Sequence, residues 1–285
     1  MLKFVVAGGT GRVGSAVAQA MSARGAAPTL LVRRPGLPAQ TVRSSLDDRI
    51  GVANALRGAH GFFVLLPESV NPDDFHGARR RMADAIAAAV HDSGVPHVVM
   101  LSALPAVVAQ GSGPCEDLHY FEQRLRETGA VVTILRSCYF QDNVRDVLMP
   151  ARHAGIFPTL LPADAAMPMV ATTDVGRFIA EALLAPSRGS EIVDVLGPMY
   201  SIRQVAAALG AALGRPLTVV EVPPEQHVEA LTRGGLPPQI ATAIAEMMAC
   251  VRAGRVAPSG DRQLAGTTPI NDTVLECVRR FAPSA

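Results

Sequence analysis

The sequence predicts an α/β fold: a doubly wound parallel sheet with a smaller C-terminal α/β lobe over its crevice. Three observations predict it. Short apolar runs alternate with helical patterns over residues 2–196, the signature of a parallel sheet covered on both faces. The first run, Phe4-Val5-Val6-Ala7, leads straight into glycines at positions 8, 11 and 14 and then an alanine-rich helical pattern from Ser15 to Arg24. After Leu196 the alternation gives way to mainly helical stretches.

The opening strand, 2–7, turns sharply into a helix over 11–24. Gly8 permits the turn, Gly11 lets a pyrophosphate approach the backbone, and Gly14 lets the helix pack closely on the strand. The free N–H groups and positive end of that helix then face phosphates. Gly8, Thr10, Gly11, Arg12, Val13 and Gly14 are therefore expected to bind a dinucleotide. The second strand, 29–33, ends in Arg33-Arg34-Pro35. A carboxylate there would take the ribose 2′-hydroxyl of NAD. Two guanidiniums instead suit the 2′-phosphate of NADP, which Arg grips with paired charge-assisted bonds. The plainer alternative is a solvated Arg pair in a loop.

A helix over 48–57 precedes a fully apolar strand, 61–66, which stops at Pro67. The next helix, 72–93, carries Arg79-Arg80-Arg81, read as a solvated face rather than a nucleic-acid footprint. A strand at 96–102, a Gly111–Pro114 loop with the composition of a mobile one, a helix at 115–128 and a strand at 131–136 follow. Helices at 139–153 and 173–185 and a strand at 190–196 complete the alternation. Ligands of such sheets lie beyond the carboxyl ends of the strands. Residues 8–14, 33–34, 65–68, 102–105 and 137–143 are thus expected to converge, which adds Leu65, Leu66, Pro67, Ser102, Tyr139, Phe140 and Asn143 to the cofactor set.

The remaining pieces are a helix at 201–214, a run from Leu217 to Val222, an amphipathic stretch from Pro238 to Arg252 and a last helix from Asn271 to Phe281. Met247-Met248 reads as core filler or as an adaptable binding surface. The expected division is a cofactor domain at 1–153, with 173–196 returning to it, and a substrate lobe made of 154–172 and 197–285.

Composition narrows the class. With 285 residues, 49% of them apolar, and a formal charge of +1, the chain reads as globular, with no nucleic-acid partner. Cys115, Cys138, Cys250 and Cys277 are scattered, with no C-x-x-C and no clustered histidines. That argues against a metal site and fits free thiols in a reducing compartment. The apolar run before Gly8 is too short for a signal peptide. No run of about 18 apolar residues exists to span a membrane. The expectation is a cytoplasmic protein acting on a small molecule, with a homodimer left open.

With these motifs in place, the chain resembles the NmrA-like branch of the atypical short-chain dehydrogenase/reductases over nearly its full length. The matching residues are Gly8-Gly9-Thr10-Gly11-Arg12-Val13-Gly14, the arginine ending the second strand, and Val98-Val99-Met100-Leu101-Ser102. Glu122 ahead of Gly129-to-Arg136, Tyr139-Phe140-Gln141-Asp142-Asn143, Asp174-Val175-Gly176-Arg177 and Leu209-to-Pro216 continue the match. The resemblance implies a Rossmann fold that binds NADP(H). The family holds quinone and aromatic-alcohol reductases, and also regulators that bind NADP without turning it over. Ser44-Ser45-Leu46 departs from the family's Gly-Asp before that leucine, which leaves Asp47 as the candidate for the adenine contact.

Reductases of the wider superfamily use Tyr-x-x-x-Lys, in which the lysine lowers the tyrosine pKa so that the phenol passes a proton to the substrate. Lys3, in the first strand, is the one lysine, and the tyrosines are Tyr120, Tyr139 and Tyr200, so the dyad is absent. Tyr120-x-x-x-Arg124 imitates it. Counting back from Glu122 and Gly129, however, puts the family's lysine position at Leu118 and its tyrosine position at Pro114. Ser102, His119 and Tyr139 remain as catalytic candidates. Ser102 either hydrogen-bonds a substrate carbonyl or caps a strand turn. His119 is either a proton donor titrating near neutrality or a surface residue. Tyr139 is either a donor or a wall. The expected function is NADPH-dependent hydride transfer to a small, largely apolar quinone, imine, enone or carbonyl without the dyad. The competing expectation is a non-catalytic NADP(H) redox sensor.

Overall fold

Phe4, Val5, Val6 and Ala7 are all buried, and the strand they form, β1 (Phe4–Ala7), lies inside the sheet rather than at its edge. Successive side chains of a strand point to opposite faces, and here each face has its own core. Val5 and Ala7 enter one cluster, Phe4 and Val6 the other, and the same split recurs at Phe62/Phe63, Val98/Val99 and Ile134/Leu135. Burial on both faces is why these strands read as unbroken apolar runs. Each such Val, Ile, Leu or Phe contributes about 1.5–3 kcal/mol by leaving water.

The computed structural model describes residues 2–33, 41–67, 71–186 and 188–281. After β1 come α1 (Arg12–Ser22), β2 (Thr29–Val32), β3 (Thr41–Arg43), α2 (Arg49–Leu56), β4 (Gly61–Leu65) and α3 (Phe75–Ser93). β5 (His97–Ala103), α4 (Pro114–Arg126), β6 (Val131–Ser137), β7 (Tyr139–Phe140), α5 (Leu148–Ala154), β8 (Ile156–Thr159) and β9 (Met167–Val170) follow. The chain continues through α6 (Thr172–Leu184), β10 (Glu191–Leu196), β11 (Met199–Tyr200), α7 (Ile202–Leu213) and β12 (Thr218–Glu221). It closes with α8 (His227–Arg233), α9 (Pro238–Arg252), β13 (Arg262–Ala265) and α10 (Ile270–Arg280).

Among the described residues the large sheet has eight strands in the order β13-β10-β6-β5-β4-β1-β2-β3. Its pairings are all parallel. The chain first builds outward from β1 to β2 and β3, then returns to β4 on the other side of β1, so the winding reverses between β1 and β4. Helices α2, α3 and α4 cover one face through Val52, Leu56, Ile86, Phe121 and Leu125. Helices α1 and α6 cover the other through Val17, Met21, Val175, Phe178 and Ile179. A third core, with Leu148, Phe157, Met169, Ile202, Leu209 and Val274, packs α5, β8, β9, α7 and α10 together.

Three expectations are corrected. Residues 139–153 do not form one helix. Tyr139 and Phe140 pair with Met169 and Val170 as β7, and only Leu148–Ala154 is α-helical. Gln141–Val147 forms a 3-10 helix, and the Gln141 amide donates to the carbonyls of Met169 and Thr268 while the Asp142 carboxylate accepts from the Thr172 N–H, so this segment is tied to its neighbours as well as to itself. Second, β13 falls in the stretch assigned to the lobe, yet it is the eighth strand of the main sheet, paired with β10. Third, the Gly111–Pro114 loop is anchored. The Ser112 hydroxyl donates to the Val108 carbonyl, and the Gly111 N–H donates to Glu116. A Cβ on Gly113 would fall 1.9 Å from the Ala243 carbonyl oxygen, so only glycine lets α9 rest on this turn.

Candidate cofactor and active site

The turn after β1 is built by two glycines with different duties. Gly8 has φ +63°, a left-handed conformation that a side chain disfavours. A Cβ on Gly14 would lie 2.2 Å from the Gly8 carbonyl oxygen, so glycine there sets how closely α1 sits on β1. Gly11 is the N-cap of α1, and no side chain caps that helix end. A Cβ on Gly11 would meet just the Gly8 carbonyl oxygen, at 3.2 Å, with open space beyond. An uncapped helix N-terminus over an open cradle fits a pyrophosphate.

This turn floors a crevice of about 2580 Å³ at the carboxyl ends of the strands, where the winding reverses. Gly8, Thr10, Gly11, Arg12, Val13 and Gly14 line it from β1 and α1. Arg33 lines it at the end of β2, exposed and paired with no described carboxylate. Arg34 lies outside the described residues. Ser44, Ser45, Leu46 and Asp47 line the same end. Leu65, Leu66 and Pro67 contribute from β4, Ser102 from β5, and Tyr139, Phe140 and Asn143 from the segment after β6.

Residues from β8, the stretch after it and α9 line the same crevice. Phe157, Leu161, Ile240, Ile244, Met247 and Met248 line it, so the two methionines face the cavity instead of only filling the core. Helix α9 is held in place by the contact at Gly113, by the Gln239 amide donating to the Asp73 carbonyl at 2.9 Å, and by Cys115 Sγ lying 3.6 Å from Met247 Sδ.

The catalytic candidates separate. Tyr139 lines the crevice, half-buried. Burial pushes its phenol pKa up, with Asp146 adding to the rise and the Asn143 hydrogen bond and Arg12 opposing it, so the phenol keeps its proton at neutral pH. His119 does not line the crevice. Its Nδ1–H donates to the Ala106 carbonyl at 2.8 Å and its Nε2 accepts from the Gln123 amide at 3.0 Å, which employs both ring nitrogens. Ser102 lines the crevice but donates its hydroxyl to the buried Glu122 carboxylate at 2.6 Å, so it offers no proton to a substrate carbonyl. Lys3 lies at the opposite end of β1, its Nζ donating to the Arg57 carbonyl.

Sequence reasoning missed Arg79. The solvated face expected for Arg79-Arg80-Arg81 does not hold at Arg79, which is 1% exposed. Its guanidinium donates to the Pro67 carbonyl at 2.6 Å, the Pro114 carbonyl at 3.1 Å and the Asp117 carboxylate at 3.0 Å. Asp117 also accepts from Arg80 and His76. Arg79 thereby braces the end of β4 against the start of α4, two walls of the crevice. The Cys138 thiol, also on the crevice wall, is pushed up to about 12 by burial and is no nucleophile at neutral pH. Among the described residues no group of three or more His, Cys, Asp or Glu is placed to hold a metal, and no helix is long and apolar enough to cross a membrane.

Fold and site together define a dinucleotide-binding α/β protein of the Rossmann class. Residues 2–258 match the model of the NmrA-like family, and the chain belongs to that family. It is 28% identical over 256 residues to an NAD(P)H azoreductase of Xenophilus azovorans, covering 86% of each chain. The triphenylmethane reductase of Citrobacter sp. superimposes with a TM-score of 0.79 at 16% identity, covering 98% of this chain and 100% of that one. An NADPH-dependent quinone oxidoreductase of Escherichia coli, solved with NADPH, superimposes with a TM-score of 0.74 at 18% identity, covering 96% of this chain and 99% of that one. At these identities the two structures share the fold with this chain.

Proposed function

We propose that this NmrA-like protein is an NADP(H)-dependent reductase that delivers hydride to a largely apolar, planar acceptor (azo, quinone, imine or enone) without a Tyr-x-x-x-Lys dyad. One arrangement carries the reading. A single crevice joins an uncapped helix end and Arg33 at one side to an apolar wall with Met247 and Met248 at the other. The names of the azoreductase relative and of the dye and quinone reductases of like fold support it.

NADPH, when bound, supplies the hydride. The protein's own work is binding, orientation and exclusion of water. The α1 N-terminus and the Gly8–Gly14 turn take the pyrophosphate, and Arg33 takes the 2′-phosphate. Tyr139 and Phe140 wall the strand ends, and α9 closes the acceptor end. Holding two reactants in register lowers a barrier by several kcal/mol without an acid. Quinone and azo acceptors protonate readily from water once reduced, which suits a site whose neutral phenol, Tyr139, has no lysine beside it. The crevice is larger than the small acceptor expected from sequence requires. A typical ligand pocket is roughly 300–1,000 Å³, so about 2580 Å³ accommodates the dinucleotide and a multi-ring acceptor together.

The absent dyad favours a second reading, an NADP(H) sensor with no turnover. Incubation with NADPH and a panel of azo dyes, quinones, imines and aldehydes separates the two. The reductase reading expects loss of reduced-nicotinamide absorbance with planar aromatic acceptors and little with simple aldehydes. Binding of NADPH with no loss for any acceptor supports the sensor.

A further inference from the structure

Ser102, Glu122 and Arg136 come from β5, α4 and β6, and all three are buried, Ser102 on the crevice wall and the other two behind it. Ser102 and Arg136 are register partners on adjacent strands, so their side chains share a face of the sheet. Arg136 forks the Glu122 carboxylate, Nε to Oε1 at 3.0 Å and Nη2 to Oε2 at 2.5 Å. Its remaining Nη1 reaches Ser259 Oγ at 3.3 Å. The carboxylate is thus fixed in place, and Ser102 Oγ lies 2.6 Å from its Oε1.

A serine hydroxyl has one proton, and a carboxylate offers lone pairs alone. The Ser102 proton therefore lies on the line to Glu122, in a charge-assisted bond of the stronger kind. To any group in the crevice within its reach, the Ser102 oxygen can offer only lone pairs. A carbonyl oxygen set against them would be repelled, and an N–H group would be accepted.

We propose that Glu122 is a positioning residue that fixes Ser102 as a hydrogen-bond acceptor, and that this acceptor takes the carboxamide N–H of the nicotinamide. The proposal rests on the reading that the crevice binds NADP(H). The sheet order supports the match. The pyrophosphate turn is at the end of β1, the 2′-phosphate end is at β2, and the other half of the dinucleotide must run the opposite way, over β4 to β5. Two strand spacings make that roughly 10 Å.

The test is binding, with no acceptor and no turnover. Calorimetry compares NADP⁺ with its 3-acetylpyridine analogue, in which a methyl replaces the amide nitrogen. Adenosine 2′,5′-bisphosphate, which lacks the nicotinamide half, reports the integrity of the adenosine end. The wild-type chain is expected to prefer the carboxamide by roughly two- to tenfold, the range for one neutral hydrogen bond. Ser102→Ala brings that ratio near one and leaves the bisphosphate affinity unchanged. Glu122→Gln, which keeps the shape and removes the charge that captures the proton, lowers the ratio as well.

A wild-type chain without the preference, or a Ser102→Ala variant that keeps it, overturns the proposal. A full preference in Glu122→Gln beside a lost one in Ser102→Ala overturns the role of Glu122. A Glu122→Gln chain too unstable to titrate leaves Ser102→Ala to decide. Failure of NADP⁺ itself to bind the wild-type chain overturns both this inference and the reading beneath it, whereas binding without discrimination overturns this one alone.

Discussion

Tyr120 donates its hydroxyl to Asp84 at 2.8 Å, and the same carboxylate oxygen accepts from Arg124 Nε at 2.8 Å. The pair that imitates a catalytic Tyr-x-x-x-Lys dyad is therefore a bridge from α4 to α3, and Tyr120 is not on the crevice wall. The hydrogen bond to Asp84 also raises the Tyr120 pKa, with burial adding to it, which is the opposite of what a proton-relaying tyrosine needs.

Tyr120→Phe is expected to keep full turnover and to change stability by no more than about 1 kcal/mol, the net worth of one hydrogen bond. His119→Ala is expected to be equally silent in turnover, because both its nitrogens serve the Ala106 carbonyl and Gln123. Steady-state rates with NADPH check both. Loss of a positioned proton donor would instead cost about 10²–10⁴-fold.

Arg33→Ala is expected to weaken NADPH binding by about 1.5–3 kcal/mol, the range for a hydrogen bond to a charged group. NADH binding is expected to stay nearly unchanged. Calorimetry with both cofactors checks the split; an equal loss for the two would move the 2′-phosphate away from the end of β2.

The two glycines of the turn are expected to fail differently. Gly11→Val abolishes cofactor binding in a chain that still folds, since its side chain points into the open cradle. Gly14→Ala loses stability by about 1–3 kcal/mol, the usual cost of overpacking, because its Cβ would overlap the Gly8 carbonyl at 2.2 Å. Urea melts beside NADPH titrations separate the two effects.

Much of the fold was legible because its code is local. Continuous apolar runs at Phe62–Leu66 and Val98–Leu101 announce strands buried on both faces, and the glycine turn announces what lies beyond β1. What stayed hidden depends on contacts between distant residues. Arg79, Arg80 and Arg81 look alike in sequence, and only the carbonyls of Pro67 and Pro114, 12 and 35 positions away, single out Arg79. Ser102 reads as a substrate donor or a strand-turn cap until Glu122, 20 residues away, is seen to hold its proton. β13 carries no apolar run, because Arg262 and Gln263 are exposed on an edge strand.

His97 gives the stability a pH dependence. It is buried on β5, with Nε2 beside Thr133 Oγ1 at 3.0 Å and Nδ1 without a partner among the described residues. Burial lowers its pKa, outweighing the pull of Glu191 upward. The unfolded chain then binds the proton more readily than the folded one. The contribution is complete above the unfolded value of about 6.5, and it declines as pH falls below that value. The slope is at most about 1.4 kcal/mol per pH unit. Denaturant melts between pH 5 and 7.5 are expected to show this slope in the wild-type chain and not in His97→Gln.

The most direct test of the account is the single-turnover oxidation of bound NADPH by a planar azo or quinone acceptor, comparing protiated with 4-deuterated cofactor. The account predicts that the nicotinamide is oxidised, that deuterium slows the step, and that Tyr120→Phe leaves both the rate and the isotope effect unchanged. NADPH that binds yet stays reduced with every acceptor, or a Tyr120→Phe chain that binds NADPH and no longer oxidises it, would contradict hydride transfer without the dyad.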